Sequence, residues 1–402
     1  MTLMRATERL SLTTALAGAL IWSAVPAYAL DAEAFAARIQ EGMNLAGGAF
    51  DFAGVEVNGD TIVLKSASAR GKMGKWLNVG DLTFEGVSEM EGGGHEVDRM
   101  SVPDIKVPMD GDPTSFLSVA GIEITGIVWP EEPDYASLET VGSYWTARAG
   151  PITATDKGKQ FFEIAAIELA IDRREDNRGV DMAIDGTGLK IDSSAFNDPK
   201  VKDALTKLGY TDLTGAVAVD LGWDIDTGVL DVREYSFNFD NVGTLDMTLS
   251  FSGLTLDFIV ALNKAQQALV GNPDKKAAEQ AFGITMLGMM QQLSFDGAEI
   301  SFEDDSLTGR ALDFAGQQQG VSGQQMGEAL KGMLPLMLGQ LGIPALQQEI
   351  TAAVNTYLDD PKSLTISAEP ENPVPFPQIM GAGMGDPRTL VDLLGVTVTA
   401  NE

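Results

Sequence analysis

Leu245-Asp246-Met247-Thr248-Leu249-Ser250-Phe251 alternates apolar and polar residues without a break. Successive side chains of a strand point to opposite faces. This stretch therefore puts Leu245, Met247, Leu249 and Phe251 on one face and Asp246, Thr248 and Ser250 on the other. A strand of this kind belongs to an antiparallel sheet with one face covered and one face wet. The text before it repeats the habit. Residues 161–171, 180–191, 215–223 and 229–239 read as strands, and Asp226-Thr227-Gly228 makes a turn between the last two.

Further upstream, strand-like pieces cover residues 79–87, 96–107 and 122–129, with Gly92-Gly93-Gly94 as a turn. Val55-Glu56-Val57 and Thr61-Ile62-Val63-Leu64 flank Asn58-Gly59, and an Asn-Gly pair supplies the positive φ a tight hairpin needs. Residues 31–43 predict a short amphipathic helix with Phe35, Ala36, Ile39 and Met43 on its apolar face. A second short helix is expected over 198–208, begun by Asn197 or Asp198 and stopped by Gly209. Asn78-Val79-Gly80-Asp81-Leu82 is echoed by Asn241-Val242-Gly243-Thr244-Leu245, a short internal similarity.

Downstream the pattern turns helical. Helices are expected over 258–269 and 275–293, followed by a hairpin of 293–302 with 307–314. Ser322 opens a helical stretch over 324–358, interrupted by Pro335, Gly342 and Pro344 and ended by Pro361. A strand over 363–368, a proline-rich extended linker over 369–379, a short helix begun by Asp386-Pro387 and a closing strand over 396–400 complete the chain. The expected fold class is α+β: an extended, mostly antiparallel β-sheet with helices packed on one face and a helix-rich C-terminal third. Three regions are expected after the N-terminal segment: β-rich 30–125, β-rich 126–257 and α+β 258–402.

Residues 1–29 read as an export signal. Arg5 and Arg9 precede an apolar run, Leu10 to Val25; Pro26 follows, and Ala27-Tyr28-Ala29 is a small-x-small cleavage site. The run is shorter than the roughly 20 residues a membrane-spanning helix needs, so no transmembrane segment is expected in the mature chain. A periplasmic or secreted protein of a Gram-negative bacterium is the address this implies. The 402 residues carry 58 acidic and 27 basic side chains, a formal charge of −31. That charge repels nucleic acid. With no cysteine, disulfides and thiol chemistry are excluded.

The run from Gly222-Trp223-Asp224-Ile225-Asp226-Thr227-Gly228-Val229-Leu230 to the alternating strand resembles AsmA-like periplasmic proteins. Asp360-Pro361-Lys362-Ser363-Leu364-Thr365-Ile366 is similar to secreted alphaproteobacterial β-rich proteins. The resemblance implies long curved sheets and a role in envelope or lipid homeostasis, with no catalytic motif to carry over. The chain departs from the AsmA-like pattern in lacking an N-terminal membrane anchor and in its helical C-terminal third.

His95, the one histidine, reads as a surface residue at the start of a strand rather than a general base. No catalytic residue and no cofactor is expected. Acidic clusters such as Asp224 with Asp226 read as solvated turns, with weak Ca²⁺ binding as the other use of such carboxylates. Lys65, Arg70, Lys72 and Lys75 beside Trp76 form a basic cluster for an anionic group. Met286, Met289 and Met290 on one helix and Met333, Leu334, Met337 and Leu338 on another are candidates to line an apolar ligand groove, since methionine adapts to varied apolar partners. The expected function is a non-enzymatic envelope protein binding or passing an apolar ligand such as a lipid. Two alternatives are a periplasmic interaction protein docking an envelope partner through acidic turns, and a carboxylate-based hydrolase of envelope glycans.

Overall fold

The computed structural model describes residues 30–45, 48–71, 76–91, 93–109, 112–131, 145–174, 178–193, 199–271, 274–339 and 342–402; the export-signal reading of 1–29 lies outside them. Within them a 21-stranded antiparallel sheet is laid down largely in chain order. β1 (Ala49–Asp51) and β2 (Gly54–Asn58) share the partner β3 (Thr61–Arg70). β4 (Leu77–Glu85), the two-residue β5 (Ser88–Glu89), β6 (Gly94–Val102), β7 (Ile105–Met109), β8 (Asp112–Val119) and β9 (Ile122–Pro130) follow. Then come β10 (Thr146–Ala149), β11 (Ile152–Asp156), β12 (Lys159–Ile164), β13 (Ala166–Arg173), β14 (Gly179–Asp192), β15 (Asp212–Asp224), β16 (Val229–Phe239) and β17 (Gly243–Ser252). β18 (Ser294–Asp304), β19 (Ser363–Ala368), β20 (Val374–Pro375) and β21 (Val396–Ala400) finish the sheet. β9 runs across position 125, so the first two regions share one continuous sheet.

β6–β7, β8–β9, β10–β11 and β12–β13 are long strands, each broken once. The register set on one side of each break resumes on the other: Val102 faces Ile122 and Ile105 faces Val119, while Thr146 faces Thr125 and Ile152 faces Val119. The breaks line up across the sheet as a crease. Gly121 sits in it at φ +58°, and a Cβ there would lie 2.9 Å from the Gly150 carbonyl oxygen, so only glycine fits without a shift.

α1 (Ala32–Leu45) closes the N-terminal end of the sheet, as the 31–43 periodicity predicts. Phe35 and Ala36 are fully buried with Ile62, Leu64, Phe84 and Val97. The Phe35 ring meets Phe84 at 5.1 Å, His95 at 5.2 Å and Trp129 at 5.5 Å, all edge-on. The remaining helices are insertions between strands. α2 (Pro199–Leu208) precedes β15; α3 (Leu256–Gly271) and α4 (Lys275–Met290) join β17 to β18. α5 (Leu307–Gln319), α6 (Gly323–Leu338) and α7 (Pro344–Asp359) join β18 to β19, and α8 (Phe376–Gly385) and α9 (Thr389–Leu394) precede β21. α7 packs on β19 and β21. Asn401 ties that corner together: its amide donates to Asp360 O at 2.9 Å and its side-chain oxygen accepts from Ser363 N at 3.1 Å.

Four expectations need correction. Pro335 does not interrupt its helix: α6 runs through it from Gly323 to Leu338. Residues 307–314 are helix, not the second arm of a hairpin; Leu307, Ala311 and Phe314 recur at helical spacing, and Gly320 ends the helix at φ +71°. The partners of β18 are instead β17, β19 and the short β20. The proline-rich 369–379 stretch is extended only to Pro375; Pro377 sits in the first turn of α8, where a missing N–H costs nothing. At the first hairpin Asn58 pairs with Thr61, so the turn is Gly59-Asp60, with positive φ at Gly59 alone.

Candidate apolar lane and cavity

Residues directly opposite on antiparallel strands project to the same face. Following those pairs across the sheet gives one unbroken row. It starts Val57, Ile62, Phe84, Met100 and Ile124. It continues through Ala147, Leu169, Ile184 and Val219. It ends Tyr235, Met247, Ile300, Ile366 and Val398. No member carries a charge, and the Tyr235 hydroxyl is the one oxygen or nitrogen in their side chains. At about 4.8 Å per strand spacing, the row has a contour of about 60 Å.

The adjacent row faces the other way and is polar: Thr83, Ser101, Glu123, Arg148, Glu168 and Asp185 are followed by Ser236, Asp246, Ser301, Thr365 and Thr399, with Ala218 between Asp185 and Ser236. Contacts along it fit a shared face: Arg148 lies 3.2 Å from Glu123, and the Ser301 and Thr365 hydroxyls are 2.9 Å apart. Nearby, Arg233 bridges Asp181 at 2.8 Å and Asp220, and Arg174 donates to Asp181 at 3.1 Å. Hydrogen bonding from Arg174, then from Arg233, holds the Asp181 carboxyl below its usual range against partial burial.

Exposure divides the apolar row. Ile62 and Phe84 are fully buried beneath α1. From Met100 onward no member is buried, and Tyr235, Ile300 and Ile366 are 40%, 48% and 48% exposed. The same face is thus sealed under α1 at Ile62 and Phe84 and open over the rest, including the first member, Val57, which is 50% exposed.

Where sealing gives way to opening, there is a cavity of about 590 Å³ between α1 and β4–β9. Ile39, Met43, Leu82, Phe84, Met100 and Trp129 line it, so it meets the apolar row at Phe84 and Met100. Its volume falls in the range of small-molecule sites, about 300–1,000 Å³. Arg38 and Glu41 are the charged residues of its wall. Arg38 donates to the Glu131 carbonyl oxygen, and its guanidinium lies 3.6 Å from the Glu131 carboxylate and 3.7 Å from that of Glu41.

His95 opens β6, as expected, but it is buried at 6% exposure rather than superficial. The reason is α1, which lays Phe35 across it. Burial lowers its pKa from the ordinary value; Arg38 adds to this, and Glu89 and Asp31 oppose it. Its Nδ1 has no hydrogen-bond partner.

The sequence-picked groove residues are not gathered into one site. Met286, Met289 and Met290 lie on α4, with Met289 buried; Met333, Leu334, Met337 and Leu338 lie on α6, with Met333 and Met337 exposed. β18 crosses the sheet between these two insertions, which places them at opposite strand ends. In the basic cluster, Lys65 is paired with Asp81 at 2.6 Å and Glu56 at 3.6 Å, and Arg70 stacks over Trp76 at 5.2 Å. Lys72 and Lys75 lie outside the described residues. Asp224 serves its turn, accepting from Thr227 N at 2.9 Å. Among the described residues no group of three or more acidic or histidine side chains is arranged to hold a metal, and no helix is long and apolar enough to cross a membrane.

The sequence does contain one step of the apolar row, Met247 within the Leu245–Phe251 alternation. The row itself depends on register across many strands, which alternation within one strand does not specify. A family model described as "Uncharacterized protein" matches residues 236–401, from within β16 to the end of the sheet. No curated protein matches the chain.

Proposed function

We propose that this is a non-enzymatic, exported envelope protein that holds or passes a lipid along the apolar row. The observation that carries this reading is the row's continuity. Opposed register pairs from Val57 to Val398 present uncharged side chains, and most of them are left accessible. A hydrocarbon chain needs apolar surface and no hydrogen-bond partner, and each methylene it buries contributes about 0.8 kcal/mol. An extended polypeptide laid across this face would bring backbone polar groups that it leaves unsatisfied. Residues 1–29, read as an export signal, support an envelope setting, where such chains are at hand.

The test is export of the chain in a Gram-negative host, purification without detergent, native mass spectrometry and lipid extraction. Near-stoichiometric co-purified lipid is expected. A bare protein that also shows no saturable uptake of fluorescent phospholipid overturns the reading. Ile300→Asp with Ile366→Asp places two charges on the open part of the row and is expected to reduce uptake about tenfold or more, equivalent to at least about 1.4 kcal/mol.

A further inference from the structure

We infer that the cavity under α1 is the terminal seat for one acyl chain of a lipid with a zwitterionic headgroup, which is held at a mouth formed by Arg38, Glu41 and Glu131. This inference rests on the lipid reading and names the lipid class. The cavity of about 590 Å³ falls in the range of small-molecule sites and has room for a long hydrocarbon chain. The lining residues are apolar except Arg38 and Glu41 of α1, and Arg38 reaches Glu131, the residue that follows the lining Pro130 at the end of β9.

The mouth has one cation and two carboxylates, all of them partly solvent-exposed. A purely anionic head would meet Arg38 but also two like charges, in a chain whose overall charge is −31. A head with both a phosphate and an ammonium group satisfies both signs: the phosphate takes the Arg38 guanidinium, and the ammonium takes Glu41 and Glu131. The Arg38–Glu131 contact then acts as a clasp that the head replaces rather than leaves unpaired.

Two soluble single-chain probes of equal chain length test this: lysophosphatidylethanolamine and lysophosphatidylglycerol, titrated by calorimetry into delipidated full-length protein. The zwitterionic probe is expected to bind about tenfold more tightly. Equal affinities, or tighter binding of the anionic probe, overturn the headgroup assignment. Glu41→Lys with Glu131→Lys, which makes the mouth positive, is expected to reverse the preference, and an unchanged ratio overturns it. Leu82→Trp, which fills the cavity, is expected to lower the affinity for both probes about tenfold while helical circular dichroism is retained. As a second variant, Met100→Phe tests the same wall with a smaller increase in volume. If both cavity variants bind the probes as well as the parent while Ile300→Asp still blocks phospholipid uptake, the cavity assignment fails and the row remains. If uptake also survives Ile300→Asp and the protein carries no lipid, the lipid reading itself fails.

Discussion

Two stretches of the apolar face differ in one respect: α1 covers Ile62 and Phe84, and the middle and far strands leave theirs accessible. Ile62 and Ile300 belong to the same row, yet one is fully buried and the other is 48% exposed. Identical strand chemistry thus serves as core in one stretch and as surface in the other. The lesson is that an amphipathic strand specifies an apolar face but not its cover. It is this accessible stretch that the proposed lipid path rests on.

The comparison can be broken first at Phe35. Phe35→Ala removes a ring packed against Phe84, His95 and Trp129 and should cost about 3–5 kcal/mol in urea unfolding. Hydrogen exchange should show α1 and β3–β6 losing protection while β15–β18 keep theirs. Loss of protection throughout the sheet would mean that the two ends are one cooperative unit.

Next in size is Gly121→Val at the crease. A β-branched residue at φ +58°, 2.9 Å from a carbonyl oxygen, should cost about 1–3 kcal/mol. Thermal unfolding of the variant checks this, and an unchanged midpoint would show that the crease relaxes freely.

The third prediction is a pH effect confined to the covered end. His95 titrates below its ordinary value because burial penalises its charged form. Above about pH 6.5 the imidazole is neutral in both the folded and the unfolded chain, so it contributes no pH dependence. As pH falls below that value the unfolded chain binds the proton first, and stability declines until the folded pKa is passed. The parent should therefore lose more thermal stability between about pH 7 and about pH 5.5 than His95→Phe does. Equal losses would remove His95 as the cause.

The smallest effect should come from the open end. Ile300→Ser should change stability by no more than about 0.5–1 kcal/mol, because half of the side chain already faces water. A cost near that of Phe35→Ala would show that something covers this face after all.

Much of the fold was legible because its signals are local. Alternation marked the strand over 245–251, Ser322 marked the start of α6, and the Phe35-Ala36-Ile39 stripe marked α1 and its buried face. The failures were also local signals, each overruled by context. Residues 307–314 carry apolar residues compatible with either period, and neighbouring α2 and α6 settle them as helix. The prolines of 369–379 read as a linker, yet Pro377 lies where a helix accepts it. The methionine helices drew the candidate site to themselves through composition, but position in the chain separated them. His95 looked superficial because nothing in Gly94-His95-Glu96 announces a helix folding back from position 35.

The chain by itself determined the α+β class, the antiparallel strands, the acidic surface and the absence of thiol chemistry, since each follows from residue type and short-range spacing. Tertiary structure alone decided which apolar residues stand opposite one another, where α1 closes the sheet, and that a cavity opens beside it. Those features depend on inter-strand register and on contacts between residues far apart in sequence. A period of two within one strand is blind to both.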